Sequence, residues 1–388
     1  MGLIHVDHHG DMAGPRQIAN RLSPTMHHFV MASVAFVVVM TGVGMIIAFT
    51  ARGIVDAAAS PVEARRASER AFVNTLPVAS DTGGRVSIFF AGDVMLDREV
   101  DARMRKQNDD IYPFRLMMTD PRFTVPDLRI MNLEGPVTAE RRPPEKSIDF
   151  AFDPRVIKAL HFVGWNGMSQ ANNHDLDQGR VGADDSRARL STSRFLVFGD
   201  EVRDDDVAIA TTTVHGRRIA FVGFNDTSRR VDQTVAEKTL ATARQQADTV
   251  IVMMHWGEEY HDQPSARQQE LATWLVDHGA DAVIGGHPHW VQGVTSHNGK
   301  PILYSLGNFV FDQDWSQETN EGLAIGLLIS DQETVLDLYP ITIKKSQPRF
   351  LDGDGRAARL RDLSSISDAA LTQQILDGRI VLPKVVTQ

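Results

Sequence analysis

The sequence has no cysteine in its 388 residues, which removes thiolate metal ligands, a cysteine nucleophile and disulfides together. Any metal must therefore be held by oxygen and imidazole nitrogen. Positive charge is also in deficit: 40 Lys and Arg stand against 50 Asp and Glu, a formal net charge of −10. That balance lacks the basic footprint of nucleic-acid binding, and no nucleic-acid partner is expected. Neither an internal repeat nor a Gly-rich phosphate loop is visible. What remains is an ordinary globular composition, with 42% hydrophobic and 7% aromatic residues.

One stretch departs from it. Residues 29–51 carry no charge and are rich in Val, Met, Ala and Phe, a run long enough to cross a bilayer with some tilt. The expectation is a transmembrane helix that places the large domain outside the cytoplasm in a single-pass membrane protein. A buried core helix and a signal peptide cleaved after Ala57-Ala58-Ala59 are the alternatives. Arg16 and Arg21 precede the run and Arg52, Arg65, Arg66 and Arg70 follow it, so positive charge alone does not orient it. Residues 1–28, with scattered His5, His8, His9, His27 and His28, read as a disordered cytoplasmic tail rather than a metal site. Residues 52–84 read as a stalk.

The folded domain is expected over residues 85–346. Strand-like runs at 86–91, 128–132, 249–254 and 282–285 alternate with helical spacing at 154–162, 231–247 and 265–278. A hairpin is expected at 207–224 around His215-Gly216, and antiparallel strands at 322–329 and 335–343. The fold class is α/β, a layered sandwich with mixed sheets. Residues 347–388 read as a C-terminal appendage with one amphipathic stretch at 363–376.

The chemistry is concentrated where apolar runs end. Asp93 follows Phe89-Phe90-Ala91-Gly92, Glu134 follows Ile130-Met131-Asn132-Leu133, and His255 follows five apolar residues from Val250 to Met254. A buried strand that stops at a turn delivers its last residue to one rim of the sheet, where open α/β folds bind ligands. His287-Pro288-His289 places two imidazoles at i and i+2 on a turn stiffened by proline. Carboxylates beside imidazoles suit Mn, Fe, Zn or Mg better than copper. Asn172-Asn173-His174-Asp175 adds an amide oxygen and a titratable imidazole suited to proton donation. Arg98, Trp256, Glu258 and Tyr260 adjoin these positions and are candidates for shaping a substrate pocket.

These residues resemble a known family. Gly92-Asp93-Val94-Met95-Leu96, Asn132-Leu133-Glu134, residues 171–179 and 255–260, His287-Pro288-His289 and Ser305-Leu306-Gly307-Asn308-Phe309 occur in order within residues 87–329. Together they resemble the capsule-synthesis CapA (poly-γ-glutamate synthesis, PgsA-like) proteins, whose domain is similar to calcineurin-like metallophosphoesterases. The resemblance implies one or two divalent metal ions. Asp93 and His289 would serve the first, Asn173, His255 and His287 the second, and Glu134 would bridge them, with His174 as general acid. Met95 departs from the phosphoesterase pattern, which has a histidine ligand there, so one subsite is short of an imidazole. Gly286 stands where many relatives carry a further histidine.

The function implied is a membrane-anchored role in making, exporting or attaching an anionic polymer such as poly-γ-glutamate, alongside other capsule-synthesis membrane subunits, with a metal-dependent hydrolase-type site. A phosphodiesterase or phosphatase of the cell envelope, and a non-catalytic polymer-binding scaffold, are the alternatives.

Overall fold

The computed structural model describes residues 84–144, 146–200 and 209–384; the expected tail, membrane helix and most of the stalk lie outside them. Among the described residues no helix is long and apolar enough to cross a membrane.

The chain opens with four strands of one sheet: β1 (Val86–Val94), β2 (Leu128–Leu133), β3 (Gly167–Ser169) and β4 (Leu196–Phe198). A second sheet follows: β5 (Ile209–Val214), β6 (Arg217–Asn225), β7 (Thr249–His255), β8 (Ala282–Gly286), β9 (Val294–His297) and β10 (Lys300–Leu303). The chain then returns to the first sheet with β11 (Asn308–Val310), β12 (Glu321–Ile329), β13 (Glu333–Lys344), β14 (Gln347–Phe350) and β15 (Arg379–Pro383). The spatial orders are β14-β13-β12-β1-β2-β3-β4, with β11 on β1 and β15 on β13, and β5-β6-β7-β8-β10-β9. Both sheets are mixed: β1 to β4 run parallel while β12 is antiparallel to β1, and β6, β7 and β8 run parallel while β5 is antiparallel to β6. This is the layered α/β sandwich expected.

Strand alternation builds the layers. Ile88 and Phe90 of β1 meet Ile219 and Phe221 of β6 and Ile251 and Met253 of β7 in the core between the sheets. The intervening Phe89 and Ala91 face outward, beneath Val100 and Met104 of helix Arg98–Gln107 and Leu160 of helix Val156–Val163. On the other side, Val250, Val252 and Met254 pack on Leu240 of helix Gln233–Gln246 and on Leu271 and Leu275 of helix Ala266–Asp277. Strands covered on both faces must be apolar at consecutive positions, which is why β1 and β7 read as unbroken runs. The second helix starts where Ser265 and Gln268 cap each other, satisfying backbone N–H groups that the first turn cannot.

The expected hairpin forms as the antiparallel pair β5 and β6. The C-terminal stretch differs from expectation. It is not appended: β14 and β15 both pair with β13, and Leu360, Leu363, Leu371 and Ile375 are buried in the core between the sheets. Their apolar residues come from several short elements embedded in charged sequence, so no sustained period announces them.

Candidate metal centre

The polar residues gather at one rim because parallel strands of both sheets end there. Asp93 sits near the end of β1, after a register shift against β2 between Ala91 and Asp93, so β1 runs three residues beyond its expected end at Ala91 and carries Asp93 within it. Glu134 directly follows β2, and Asn173 and His174 lie in the loop after β3. His255 is the last residue of β7, and His287 and His289 follow β8 in left-handed backbone, with φ of +96° and +59°. Non-glycine residues seldom adopt that region, and such strain gathers at functional sites.

The side chains converge. Ligand atoms of Asp93, Glu134 and His255 lie within 4.8 Å of one another, and all three residues are buried. His255 Nε2 is 2.7 Å from Asn173 Oδ1 and 3.2 Å from His287 Nδ1. His289 Nδ1 is 3.4 Å from Asp93 Oδ2, while its Nε2 is 3.8 Å from Glu134 Oε1. His174 Nε2 approaches that same Oε1 at 3.9 Å. The seven candidate ligand and acid residues therefore form one connected cluster, with Asp93, His174, His255 and His289 around Glu134 and with Asn173 and His287 joined through His255.

Three further groups organise the site. Asn132 Nδ2 donates to Asp93 Oδ1 at 2.8 Å and lies 3.3 Å from His255 Nδ1. Asn308, register partner of Asp93 in β11, lies with Oδ1 3.0 Å from His289 Nδ1. Asp177 accepts from His174 Nδ1 at 2.6 Å and from the Phe150 N–H at 2.8 Å. Asn132 and Asn308 stood inside the quoted motifs without a role. Asp177, three residues after His174, could have been found as the carboxylate that a proton-donating histidine needs to fix its tautomer.

Electrostatics favour a cation. Burial, then the neighbouring Asp93 charge, raises the Glu134 carboxyl well above its ordinary range. Burial, then the His287 ring, holds His255 well below its ordinary range. His287 is pushed down to about 3 by burial and by His289. Buried carboxylates that repel each other beside imidazoles held neutral are what a divalent ion relieves.

The decisive observation is Glu134 Oε1, which is buried and has no hydrogen-bond partner among the described residues. Leaving a buried carboxylate oxygen bare costs free energy unless something absent from the polypeptide satisfies it. A void of about 10 Å³ adjoins Asp93, Asn132, His255 and Gly286, bordered also by Ala91, Ala171, Met253 and Met254 but not by Glu134. The donor set fits a divalent metal bound by oxygen and imidazole.

Met95 does not contribute: it is buried in the outer core and its Sδ accepts from the Asp97 N–H. Gly286 has a steric reason, since a Cβ there would lie 2.6 Å from Asp93 Oδ1. Of the expected pocket residues, Trp256 is buried and donates to the Tyr304 carbonyl at 2.7 Å, which makes it part of the packing. The Glu258 side chain is 77% exposed and turned to solvent. Arg98 and Tyr260 remain near the site.

A family model described as bacterial capsule synthesis protein PGA_cap matches residues 87–313, a span that holds every candidate ligand. The PGA biosynthesis protein CapA of Bacillus subtilis (strain 168) is 29% identical over 315 residues, covering 76% of this chain and 81% of that protein. The capsule biosynthesis protein CapA of Bacillus anthracis is 31% identical over 295 residues, covering 70% and 71%. Among solved structures, a hypothetical protein from Thermus thermophilus is matched over 68% of this chain and 96% of its own, with 16% identity and a TM-score of 0.39, a likeness too loose to bear on function.

Proposed function

This chain belongs to the bacterial capsule synthesis protein family PGA_cap, and from that premise we propose that it helps make, export or attach an anionic capsule polymer, poly-γ-glutamate or a relative of it, through a metal-dependent hydrolase-type site. The observation that carries the chemistry is the bare Glu134 Oε1 among Asp93, His255 and His289. Asp93, Glu134, Asn173, His255, His287 and His289 would hold Mn, Fe, Zn or Mg, one ion or two. Bound there, a divalent cation supplies Lewis acidity and acidifies water.

The chain's own residues supply the rest. Asn132 and Asn308 orient Asp93 and His289. Asp177 keeps the His174 proton on Nδ1 when the ring is neutral, so Nε2 faces Glu134. Once protonated, that Nε2 can hand its proton to a leaving group. Membrane anchoring through residues 29–51, with the domain outside the cytoplasm and beside other synthesis subunits, belongs to the same reading and is supported by that uncharged run. Protease accessibility of the domain in intact cells tests this placement: full protection refutes it.

The test of the site uses the full chain, loaded by dialysis with Mn or Zn. Metal per chain is measured together with turnover of bis-p-nitrophenyl phosphate and chain-shortening of poly-γ-glutamate. Bound metal and turnover of either substrate, both lost in Asp93→Asn, are expected. Tight metal binding with neither substrate turned over would reduce the site to a scaffold.

A further inference from the structure

Arg98 opens helix Arg98–Gln107 but has a φ of +50°, a conformation L residues avoid unless their surroundings impose it. Its guanidinium stands 5.0 Å from the Phe150 ring centroid and 5.9 Å from that of Phe311. Those rings back the site's histidines: Phe150 lies 4.2 Å from the His174 ring and Phe311 4.9 Å from the His289 ring. Asp312 accepts from Nε at 3.1 Å and also from Nη2. Nη1 has no hydrogen-bond partner among the described residues, and the Arg98 side chain is 33% exposed while that of Asp312 is 6% exposed. Asp93, Glu259 and Asp177 bring negative charge to Glu134 and Arg98 opposes it, while the Lys146 ammonium is taken up by Asp177 at 2.6 Å.

We propose that Arg98 is the oxyanion-binding residue of this site, taking a carboxylate or phosphate group of the substrate beside His174 and His289 while Asp312 and the two phenyl rings hold the guanidinium in place. The inference rests on the reading that the cluster around Glu134 is where the reaction occurs. An anionic substrate needs positive charge beside Asp93 and Glu134, and a planar fork recognises a two-oxygen anion with direction as well as charge. An ion pair serving only to tie the helix to the loop at Asp312 would not require the guanidinium to lie over the rings behind both histidines.

Calorimetric titration of the full chain decides it, with inorganic phosphate and a γ-linked glutamate trimer as probes and with metal present and absent. Arg98→Gln should weaken at least one probe about tenfold and leave metal affinity within about twofold. Arg98→Lys, which keeps a charge against Asp312 but loses the fork, should fall between. The probe that responds separates a phosphate ester from a carboxylate polymer as the substrate class. Equal affinity for both probes in wild type and Arg98→Gln, or no binding by wild type in either state, overturns the assignment. If Arg98→Gln does not fold, an unchanged Arg98→Lys overturns it. A wild-type chain that takes up no metal refutes the hydrolase reading, yet the metal-free titration still decides Arg98.

Discussion

Asp177 and His174, three residues apart, share a buried hydrogen bond of 2.6 Å, and the second Asp177 oxygen takes Lys146 Nζ at 2.6 Å. The carboxylate fixes which imidazole nitrogen faces Glu134. Asp177→Asn should lower turnover about 100-fold with metal content unchanged, read from kcat and metal per chain. Undiminished turnover would remove His174 from proton transfer.

Gly286 has its Cα hydrogen where a methyl would stand 2.6 Å from Asp93 Oδ1. Gly286→Ala should displace that carboxylate and weaken metal binding about tenfold or more. Competition with a fluorescent chelator measures it. Wild-type affinity in this variant would indicate that Asp93 is not a ligand.

Asn308 holds His289 at 3.0 Å while its amide donates to Gln313 Oε1 and the Thr319 carbonyl. Asn308→Ala should reduce metal affinity about 10- to 100-fold and lower stability by about 1–3 kcal/mol. Asn308→Asp, which keeps the acceptor for His289 but loses both donations, should recover only part of the affinity. Equal loss in both variants would mean that Asn308 acts only through packing.

Far from the rim, Asp281 accepts from Lys300, Arg244 and the Val250 N–H, tying β7, β8 and β10 together. Burial alone would raise its carboxyl, but Lys300 and Arg244 overcome that and hold it below the usual range. A depressed carboxylate stabilises the fold above its unfolded pKa, and that contribution fades as pH falls through the folded value. Asp281→Asn should therefore cost about 1–3 kcal/mol at pH 7, with the gap from wild type narrowing below about pH 4. Urea midpoints at the two pH values check this, and a gap that widens in acid would reverse the sign.

The convergence of the candidate ligands was legible in the sequence because most of them stand at or just past the ends of strands that are buried on both faces. An apolar run halting at Asp93, at Glu134 or at His255 is a local signal, and so is proline between His287 and His289. The supporting partners were less legible. That Asn308 meets His289, or Asp312 meets Arg98, depends on β11 returning beside β1 after more than 200 intervening residues, as the separation of 214 between Arg98 and Asp312 shows. Strands as short as Gly167–Ser169 and Leu196–Phe198 are recruited by their neighbours rather than by their own pattern. Helix Arg98–Gln107 buries only Val100 and Met104, too few apolar positions to mark it.

The candidate ligands come from two separate sheets: Asp93 and Glu134 from the strands of one, His255 and the His287–His289 turn from those of the other. A cation shared among them would act as a rivet through the sandwich at that rim. A slip between the layers by one strand residue, about 3.3 Å, would open the coordination shell, so loss of the ion should be felt as breathing of one layer against the other well before the chain unfolds.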